Sequence, residues 1–422
     1  MRQHSHENTG IGFYGLGIAP ALLEILEKFH FKIPTPIQEQ AIPVAIQGKD
    51  LVGIAQTGTG KTLAFGVPMI QRLAQVKGQG LIVLPTRELA LQVDEVLKKV
   101  GHGVGLRTAV LIGGISLGIQ IRALAKNPHI IVATPGRLID HLNQKNILLN
   151  SVRVVVIDEA DRMLDMGFLP QIQKIFYALS RDRQTMLFSA TMPPEIMKMA
   201  AAHMKLPVRV EIAPAGTTVE QVTQELFIVQ KDHKIRLLGA LLEKYQGPTL
   251  VFSRTKYGAK RIMQKIRSLG ITAAELHSNR SLGQRREALE GFKSGKYRVL
   301  VATDIASRGI DVIGIELVLN YDLPSTSDDY VHRIGRTARA GAEGHAISFA
   351  MPNQEKEVRA IERLIRKILP VSKLPELPQF PASDFTKSSH QRPYFREKDP
   401  RRGSRNFPSR VSGRHRFSKS RS

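Results

Sequence analysis

A short segment rich in glycine and threonine has the composition of a phosphate-binding loop. It follows the apolar run Leu51–Ile54 and reads Ala55-Gln56-Thr57-Gly58-Thr59-Gly60-Lys61-Thr62. Glycines let backbone N–H groups curl around a phosphate, and the amino terminus of the next helix adds its positive end. In this pattern Lys61 reaches the β- and γ-phosphates and the Thr62 hydroxyl holds Mg²⁺. The segment therefore predicts a nucleotide-phosphate site, with a chance glycine–threonine turn as the alternative.

An acidic quartet supplies the partner that such a loop requires for a metal ion. Asp158-Glu159-Ala160-Asp161 directly follows the apolar run Val152–Ile157. A carboxylate at the carboxyl end of a buried parallel strand is well placed for ligand binding in an open α/β sheet. We expect Asp158 to bind Mg²⁺ through water and Glu159 to orient and deprotonate an attacking water. Without the phosphate loop, such a quartet would be more typical of a helix amino terminus.

Short apolar runs alternate with helix-length amphipathic stretches and must position these residues. Runs without polar alternation suit strands that are covered on both faces, and strands that alternate with helices indicate βαβ units. The sequence thus predicts an α/β fold with parallel sheets. The predicted strands are Leu51–Ile54, Leu81–Leu84, Thr108–Ile112, Ile130–Ala133, Val152–Ile157, Met186–Ser189, Glu225–Val229, Thr249–Phe252, Val299–Ala302, Leu317–Asn320 and Ala346–Phe349.

The composition bounds the class of protein. The chain has 422 residues, a net charge of +24 and no cysteine. At roughly 150 residues per domain, two or three domains are expected. The absence of cysteine excludes disulfides, Fe–S clusters and thiolate metal sites. No apolar run approaches the ~18 residues of a membrane span, and the first ten residues lack an apolar signal core. We expect a soluble, cytoplasmic protein whose charge favours a polyanion, either nucleic acid or an anionic membrane surface.

The positive charge is unevenly distributed along the chain. Residues 381–422 contain twelve basic and three acidic residues, a net charge of +9, which leaves +15 for the other 380 residues. This segment has no helical or strand period and is predicted to be disordered. Arginines interspersed with rings suit contact with RNA, although a merely solubilising tail is the alternative. The aromatic residues are Phe385, Tyr394, Phe395, Phe407 and Phe417.

The order of the motifs resembles that of the DEAD-box RNA helicases of superfamily 2. The phosphate loop and the acidic quartet resemble motifs I and II. Further segments, at about residues 13–341, resemble other motifs in the family's order. They are Pro85-Thr86-Arg87-Glu88-Leu89-Ala90, Gly113-Gly114, Thr134-Pro135-Gly136-Arg137, Ser189-Ala190-Thr191, Val251-Phe252-Ser253-Arg254-Thr255, Ala302-Thr303-Asp304, Ser307-Arg308-Gly309-Ile310-Asp311 and His332-Arg333-Ile334-Gly335-Arg336-Thr337-Ala338-Arg339.

An amino-terminal element resembles the family's Q motif and implies ATP as the nucleotide. It comprises Phe31 and Pro34-Thr35-Pro36-Ile37-Gln38, with Phe13 upstream. A glutamine amide both donates and accepts, so Gln38 can pair with the N6/N7 edge of adenine. His30 stands where the family usually has glycine.

The resemblance implies two tandem RecA-like domains, each a parallel sheet with helices on both faces. ATP and Mg²⁺ would bind between them, and Arg336 and Arg339 would reach the γ-phosphate from the second domain. His332, Asp161, Ser189 and Thr191 would couple the two domains. The nucleotide-binding residues would be Phe13, Phe31, Gln38, Gln56, Thr57, Gly58, Thr59, Gly60, Lys61, Thr62, Gly309, Asp311, Arg336 and Arg339, with Thr62 and Asp158 at the metal.

RNA contacts are also implied by the resemblance. Backbone N–H groups, hydroxyls and guanidiniums grip phosphates without reading bases, so sequence-independent binding is expected, with 2′-OH contacts selecting RNA. Arg285 keeps its family place, whereas Leu282 stands where glutamine is common. The expected RNA-binding residues are Pro85, Thr86, Arg87, Gly113, Gly114, Thr134, Pro135, Gly136, Arg137, Arg254 and Thr303.

The motif positions divide the chain into four parts. The first domain is expected at residues 1–212, a linker at 213–220, the second domain at 221–372 and the basic disordered tail at 373–422. The SRGID form of motif V and Ala338 are similar to the bacterial RhlE-type branch. A monomer is expected, and ribosomal or RNA-decay proteins are candidate partners by analogy with the family.

The predicted function is ATP-dependent local unwinding of short RNA duplexes. An ATP-gated RNA clamp or annealing factor remains an alternative, because the same ATP site would serve it. A DNA helicase or translocase is disfavoured by the Q motif and the DEAD form of motif II.

Overall fold

Two parallel β-sheets form the framework of this computed structural model. The structure describes residues 12–56, 58–212, 222–304, 312, 314–338 and 344–377. The predicted linker at 213–220 and the tail beyond residue 377 lie outside these ranges. The predicted fold class, two α/β domains built on parallel sheets, is confirmed.

The first sheet has seven strands in the order β3-β4-β2-β5-β6-β1-β7. Its strands are β1 Leu51–Ile54, β2 Gln79–Val83, β3 Thr108–Leu111, β4 Ile130–Ala133, β5 Val152–Ile157, β6 Gln184–Ser189 and β7 Val208–Glu211. The helices that accompany them are α1 Pro20–Lys28, α2 Pro36–Ile46, α3 Lys61–Gln75, α4 Arg87–Gly101, α5 Leu117–Leu124, α6 Pro135–Asn143, α7 Ala160–Asp165, α8 Leu169–Ala178 and α9 Pro194–His203.

The second sheet has six strands in the order β10-β11-β9-β12-β13-β8. Its strands are β8 Val222–Ile228, β9 Thr249–Phe252, β10 Ala273–Leu276, β11 Val299–Ala302, β12 Leu317–Asn320 and β13 Gly344–Ala350. Its helices are α10 Lys234–Lys244, α11 Lys256–Ser268, α12 Leu282–Lys293, α13 Ser327–Ile334 and α14 Glu355–Ile365. After α14 the chain stays against this sheet, where the Leu377 carbonyl accepts a hydrogen bond from Arg236 Nη2 at 3.1 Å.

Alternate residues of each strand enter different apolar cores, because successive side chains point to opposite faces of a sheet. In β1, for example, Leu51 belongs to one core and Val52 to the other. In β9, Leu250 and Val251 divide in the same way. Both sheets are therefore covered on both faces, as the apolar runs predicted.

Two short strands were not predicted, β7 and β10. Each lies at the edge of its sheet. β7 reads VRVE, with both of its charged side chains exposed, and β10 reads AAEL, in which alanine has little strand preference. Their conformation depends on pairing with β1 and β11 rather than on their own composition.

The strand register brings the motif segments to one edge of each sheet. Ile54 pairs with Ser189, and Val83 pairs with both Ile157 and Ala133, so β1, β6, β2, β5 and β4 end side by side. In the second sheet, Phe252 pairs with Ala302 and Asn320. The loops that leave these carboxyl ends carry the residues of interest.

Within the described ranges, no helix has the length and apolarity needed to cross a membrane.

Candidate active site and nucleic-acid interface

The phosphate loop leaves β1 and ends where α3 begins at Lys61. Gly58 and Gly60 have φ of +86° and +90°, a backbone conformation that favours glycine. Lys61 is buried, and its ammonium donates to the Ala55 carbonyl at 3.0 Å. The Thr59 hydroxyl donates to the Gln56 carbonyl at 2.7 Å. Two internal hydrogen bonds thus fix the conformation of the loop, and the Lys61 ammonium lies at its base.

Gln38 joins the Q motif to this loop. Its Nε2 donates to the Gly60 carbonyl at 3.0 Å, and its Oε1 accepts from the Thr35 N–H at 2.9 Å as part of the capping box of α2. The approach is so close that a Cβ on Gly60 would collide with the Gln38 amide and lie 2.9 Å from Thr35 Oγ1. The Gln38 amide keeps one N–H and one lone pair for a base edge.

The two predicted aromatic residues differ in exposure. Phe13 is 4% exposed and belongs to the apolar core of the first domain, whereas Phe31 is 37% exposed. The Phe13 ring therefore packs within the core, whereas the Phe31 ring has exposed surface.

The acidic quartet begins at the end of β5, beside Lys61. Asp158 Oδ1 lies 3.8 Å from Lys61 Nζ and accepts from the Glu159 N–H at 2.9 Å. Burial raises the pKa of the Asp158 carboxyl to about 6, although the Lys61 ammonium opposes the rise. A divalent cation would favour the ionised form, and a hydroxyl such as that of Thr62 is a hard oxygen donor. Thr62 and Asp158 therefore fit a Mg²⁺ ion that keeps most of its water.

Glu159 has a strained backbone and a free acceptor. Its φ of +54° lies in the left-handed region, which non-glycine residues rarely adopt. The side chain is 7% exposed, and its buried Oε1 has no hydrogen-bond partner within the described part of the chain. A buried acceptor of this kind is able to bind and orient a water molecule.

Asp161 connects the quartet to the Ser189-Ala190-Thr191 segment after β6. Its Oδ2 accepts from the Ala190 N–H at 3.1 Å, the Thr191 N–H at 2.8 Å and the Thr191 hydroxyl at 3.0 Å. In return, the Asp161 N–H donates to Ser189 Oγ at 3.0 Å. Four hydrogen bonds therefore join the two segments.

Charged side chains of both domains meet above these two segments. Arg162 Nη1 of α7 lies 3.5 Å from Asp329 Oδ1 of α13, and both side chains are nearly buried. Burial lowers the pKa of His332 on α13, and Asp161 opposes this shift. Arg336 is buried and lines the same small cavity as Arg162 and His332. Motif VI residues therefore face the acidic quartet across the cleft.

The first-domain residues predicted for RNA converge on one open cavity of ≈ 400 Å³. Arg87 packs beneath the glycine pair, where a Cβ on Gly113 would lie 2.8 Å from its Nη2. Burial and the nearby Arg285 lower the pKa of Arg87. This crowding of cations favours an anionic ligand. The predicted residues that line the cavity are Pro85, Thr86, Arg87, Gly113, Thr134, Gly136 and Arg137.

The second-domain residues predicted for RNA lie elsewhere. Arg254 and Thr303 follow β9 and β11 and do not line that cavity, whereas Ser278 and Arg285 do. Arg285 Nη2 lies 3.0 Å from Glu88 Oε1 of the first domain, and Leu282 packs against the first-domain core. Gly114 (φ +82°) and Pro135, the first residue of α6, adjoin the cavity's lining residues in the chain.

Four predicted site residues, Thr57, Gly309, Asp311 and Arg339, lie outside the described residues.

Sequence reasoning gave Arg333 no role, although it organises the second domain. Its guanidinium binds Asp304 through two hydrogen bonds of 2.5 and 2.8 Å and donates to Asn320 Oδ1 at 3.0 Å. It also lies 4.8 Å from the centre of the Phe252 ring. The arginine of motif VI and the aspartate of motif V were both visible in the sequence, but their pairing was not.

A P-loop on one parallel α/β sheet, facing basic and acidic groups of a second such sheet, defines a two-domain nucleotide-binding protein. The protein-family model described as DEAD/DEAH box helicase matches residues 35–199. A second family model, described as helicase conserved C-terminal domain, matches residues 233–341. The chain belongs to the DEAD/DEAH box helicase family and is an ATP-dependent RNA helicase.

Two relatives illustrate the similarity. The ATP-dependent rRNA helicase RRP3 of Yarrowia lipolytica is 45% identical over 341 residues, which cover 80% of this chain and 71% of that protein. The DEAD-box ATP-dependent RNA helicase CshA of Bacillus cereus is 43% identical over 359 residues, covering 84% and 68%.

Solved structures with bound RNA are also similar. S. cerevisiae Dbp5 bound to RNA and ADP BeF3 is 30% identical with a TM-score of 0.78, covering 86% of this chain and 95% of that chain. Mss116p bound to ssRNA and AMP-PNP is 27% identical with a TM-score of 0.80, covering 89% and 82%. A DEAD box protein from Methanococcus jannaschii is 36% identical but scores 0.53, over 86% and 99%. The whole chain thus superposes better on these two RNA-bound proteins than on the Methanococcus jannaschii protein.

Proposed function

We propose that this helicase separates short RNA duplexes locally and without sequence preference, and that ATP hydrolysis in the cleft resets it and releases RNA. The observation that supports this most is the continuous polar network across the cleft. Ser189 and Thr191 bind Asp161, and the adjacent Arg162 pairs with Asp329 of the second domain. A change at the nucleotide is thereby transmitted to the RNA-facing loops.

The ATP site combines residues of both domains. Phe31 stacks on or flanks the base, Gln38 contacts the adenine edge, and Lys61 binds the β- and γ-phosphates. Arg336 and Arg339 stabilise charge on the transferred phosphoryl group. Backbone groups and hydroxyls complete the site at Gln56, Thr57, Gly58, Thr59, Gly60, Thr62, Gly309 and Asp311.

Thr62 and Asp158 would hold Mg²⁺, and the ion would supply positive charge against the phosphates. Glu159 orients the attacking water and accepts its proton, and its unpartnered buried oxygen supports this role. His332, Asp161, Ser189 and Thr191 couple the quartet to the second domain.

RNA lies along the carboxyl edges of both sheets. The shared cavity and its crowded guanidiniums support phosphate contacts from the first domain. We propose that these residues bind RNA: Pro85, Thr86, Arg87, Gly113, Gly114, Thr134, Pro135, Gly136, Arg137, Arg254 and Thr303.

Glu159→Gln tests the catalytic assignment. Because the amide cannot accept the proton, we expect RNA-stimulated ATP hydrolysis to fall by about 10²–10⁴, with ATP and RNA binding retained. Glu195→Gln, which changes an exposed residue at the start of α9, is the matched control. Equal hydrolysis rates in wild type and Glu159→Gln would refute the assignment.

A strand-separation assay with a trap for the released strand distinguishes unwinding from clamping. An unwinding enzyme yields ATP-dependent product, whereas a clamp or annealing factor binds RNA with ATP and yields none. Matched DNA in place of RNA should stimulate hydrolysis little, since 2′-OH contacts would be lost.

We also propose the RhlE-type branch and the domain limits 1–212, 221–372 and 373–422, with a linker at 213–220. Ala338 and the SRGID form of motif V support the branch. The two sheets, which lie within residues 51–211 and 222–350, support the division of the core. Limited proteolysis should cut first within 213–220 and within 378–422, because the chain up to Leu377 stays against the second sheet.

The relatives suggest candidates for the cellular setting, which we propose here. Because RRP3 is an rRNA helicase, ribosomal RNA is our first candidate substrate, with ribosomal or RNA-decay proteins as candidate partners. We propose a cytoplasmic monomer. Crosslinking to cellular RNA, cell fractionation and sedimentation test these proposals in turn.

A further inference from the structure

A second polar cavity, of ≈ 730 Å³, opens on the first domain at the edge of the sheet opposite the ATP site. It lies at the amino-terminal ends of β1, β5, β6 and β7, where α2 and α3 end. Two acidic residues, Asp50 and Asp182, contribute to its lining. The basic residues that line it are Lys49, Arg72, Lys77, Arg153, Arg183 and Lys205.

The acids do not neutralise the lysines of this cavity. Asp50 is 5% exposed and accepts from the Thr185 N–H at 2.7 Å and the Lys205 N–H at 2.6 Å. Asp182 is almost fully exposed, and its Oδ2 lies 3.9 Å from Arg153 Nε. Among the described residues, the ammonium groups of Lys49, Lys77 and Lys205 have no acceptor, so they remain available for a ligand.

Arg72 forms part of the cavity wall, where packing and a hydrogen bond hold its guanidinium in place. Gly48 has a φ of +78°, and a Cβ there would lie 2.8 Å from Arg72 Nη2, so the guanidinium packs directly on this turn. Its Nη1 donates to Gln75 Oε1 at 3.2 Å, while its buried Nε has no partner among the described residues. This nitrogen is enclosed by the protein, so Arg72 shapes the wall of the cavity but does not present its Nε–H to a ligand.

We propose that this cavity binds backbone phosphates of RNA and forms a second RNA contact on the first domain. Free ammonium groups suit phosphate oxygens and carry no base specificity. A six-residue strand is about 20 Å long, so the contact serves only RNA that extends well beyond the cleft. It also acts without nucleotide, because all of its lining residues belong to one domain.

Another physical reason exists for cations at this place. The carboxyl ends of α2 and α3 point their negative ends here, and basic residues near such ends stabilise a helix. If that were their only role, neutralising the lysines would lower the unfolding temperature and leave RNA affinity unchanged. Neutralising the lysines therefore distinguishes the two roles: loss of helix stabilisation lowers the unfolding temperature, whereas loss of an RNA contact lowers RNA affinity.

The test is the full-length double variant K49Q/K77Q, with nucleotide-free binding of a long single-stranded RNA measured over a range of salt concentrations. Two lost phosphate contacts should weaken binding by roughly tenfold at low salt and reduce the salt slope by about 1.4. Binding of a short RNA with AMP-PNP, and the ATP hydrolysis that it stimulates, should be unchanged. That second result separates this proposal from the proposed function.

The matched control K356Q/K367Q removes two exposed lysines of the second domain. Equal losses of affinity and slope in both variants, or none in K49Q/K77Q, would overturn the proposal. Tripolyphosphate should compete for the long RNA in wild type and lose that effect in K49Q/K77Q. Binding of tripolyphosphate without any RNA effect would identify a site for free polyphosphate and would also overturn it.

Discussion

The Asp158 carboxyl is buried, and this burial raises its pKa to about 6. The folded chain therefore disfavours the ionised form that a metal ion needs. A cation that binds beside Asp158 offsets this electrostatic cost. The ionised Asp158 therefore destabilises the folded protein most when the site holds no ion.

Asp158→Asn should stabilise the metal-free protein while abolishing ATP hydrolysis. The carboxyl is protonated in both states below about pH 4, and above about pH 6 it is ionised in both. The increase in the free energy of unfolding that Asp158→Asn causes should therefore grow between these pH values. It should reach about 3 kcal/mol above pH 6. Urea unfolding in EDTA at pH 5 and pH 7 measures it, and about half of the gain should be present at pH 5. A gain that does not vary with pH would contradict this reading.

At the scale of elements, helix α1 shows how one residue departs from its surroundings. The His30 N–H donates to the Glu27 carbonyl at 2.8 Å and the Phe31 N–H to the Leu26 carbonyl at 2.9 Å, the pattern of a Schellman motif. His30 occupies the left-handed position with a φ of +61°, where glycine is favoured. This turn sets the position of Phe31, so the resemblance correctly marked His30 as unusual.

His30→Gly should raise the free energy of unfolding by about 0.5–1 kcal/mol, since the strain relieved exceeds the added chain entropy. In a domain of this size that is about 1–4 °C in Tm. The control His30→Ala keeps the Cβ and should give no gain. Calorimetry decides between them, and an equal rise in both variants would refute the strain.

The elements were predictable to the extent that their chemistry is local. Central strands could be predicted from their apolar runs. The loops after β1, β5 and β6 could be predicted as site loops, because their side chains match known motifs. β7 and β10 were missed because their short sequences, VRVE and AAEL, lack an apolar β-branched run and take strand conformation by pairing with β1 and β11. The Arg333–Asp304 and Glu88–Arg285 pairs were missed because each joins residues that are distant in sequence.

At the scale of the whole molecule, the contact between the domains includes an apolar component. Leu282, where glutamine is common, packs against the first-domain core beside the Glu88–Arg285 ion pair. Burying apolar surface at this contact favours the closed arrangement without a nucleotide.

Leu282→Ala should therefore shift the molecule toward open arrangements. Loss of about 1 kcal/mol of contact corresponds to roughly a fivefold change in the closed-to-open ratio. Energy transfer between dyes on the two domains, with and without RNA and AMP-PNP, measures this ratio. Leu364→Ala, at a partly exposed leucine of α14, is the control. An unchanged ratio in Leu282→Ala would exclude the contact as a determinant of closure.

The charge of +24 is spread over regions with different expected tasks, and the basic tail accounts for +9 of it. Deleting residues 381–422 should weaken RNA binding and make its salt dependence shallower, because phosphate contacts are lost. Hydrolysis at saturating RNA should change little. If affinity and slope stay the same, the tail only aids solubility.

We propose that hydrolysis needs both domains, with Arg336 of the second acting on a nucleotide that the first holds. The most direct test is the rate of ATP hydrolysis by Arg336→Lys at saturating ATP and RNA. Lysine keeps the charge but loses the planar fork, so the rate should fall by about 10³ or more while both ligands still bind. A rate equal to that of the wild type would contradict catalysis across the cleft.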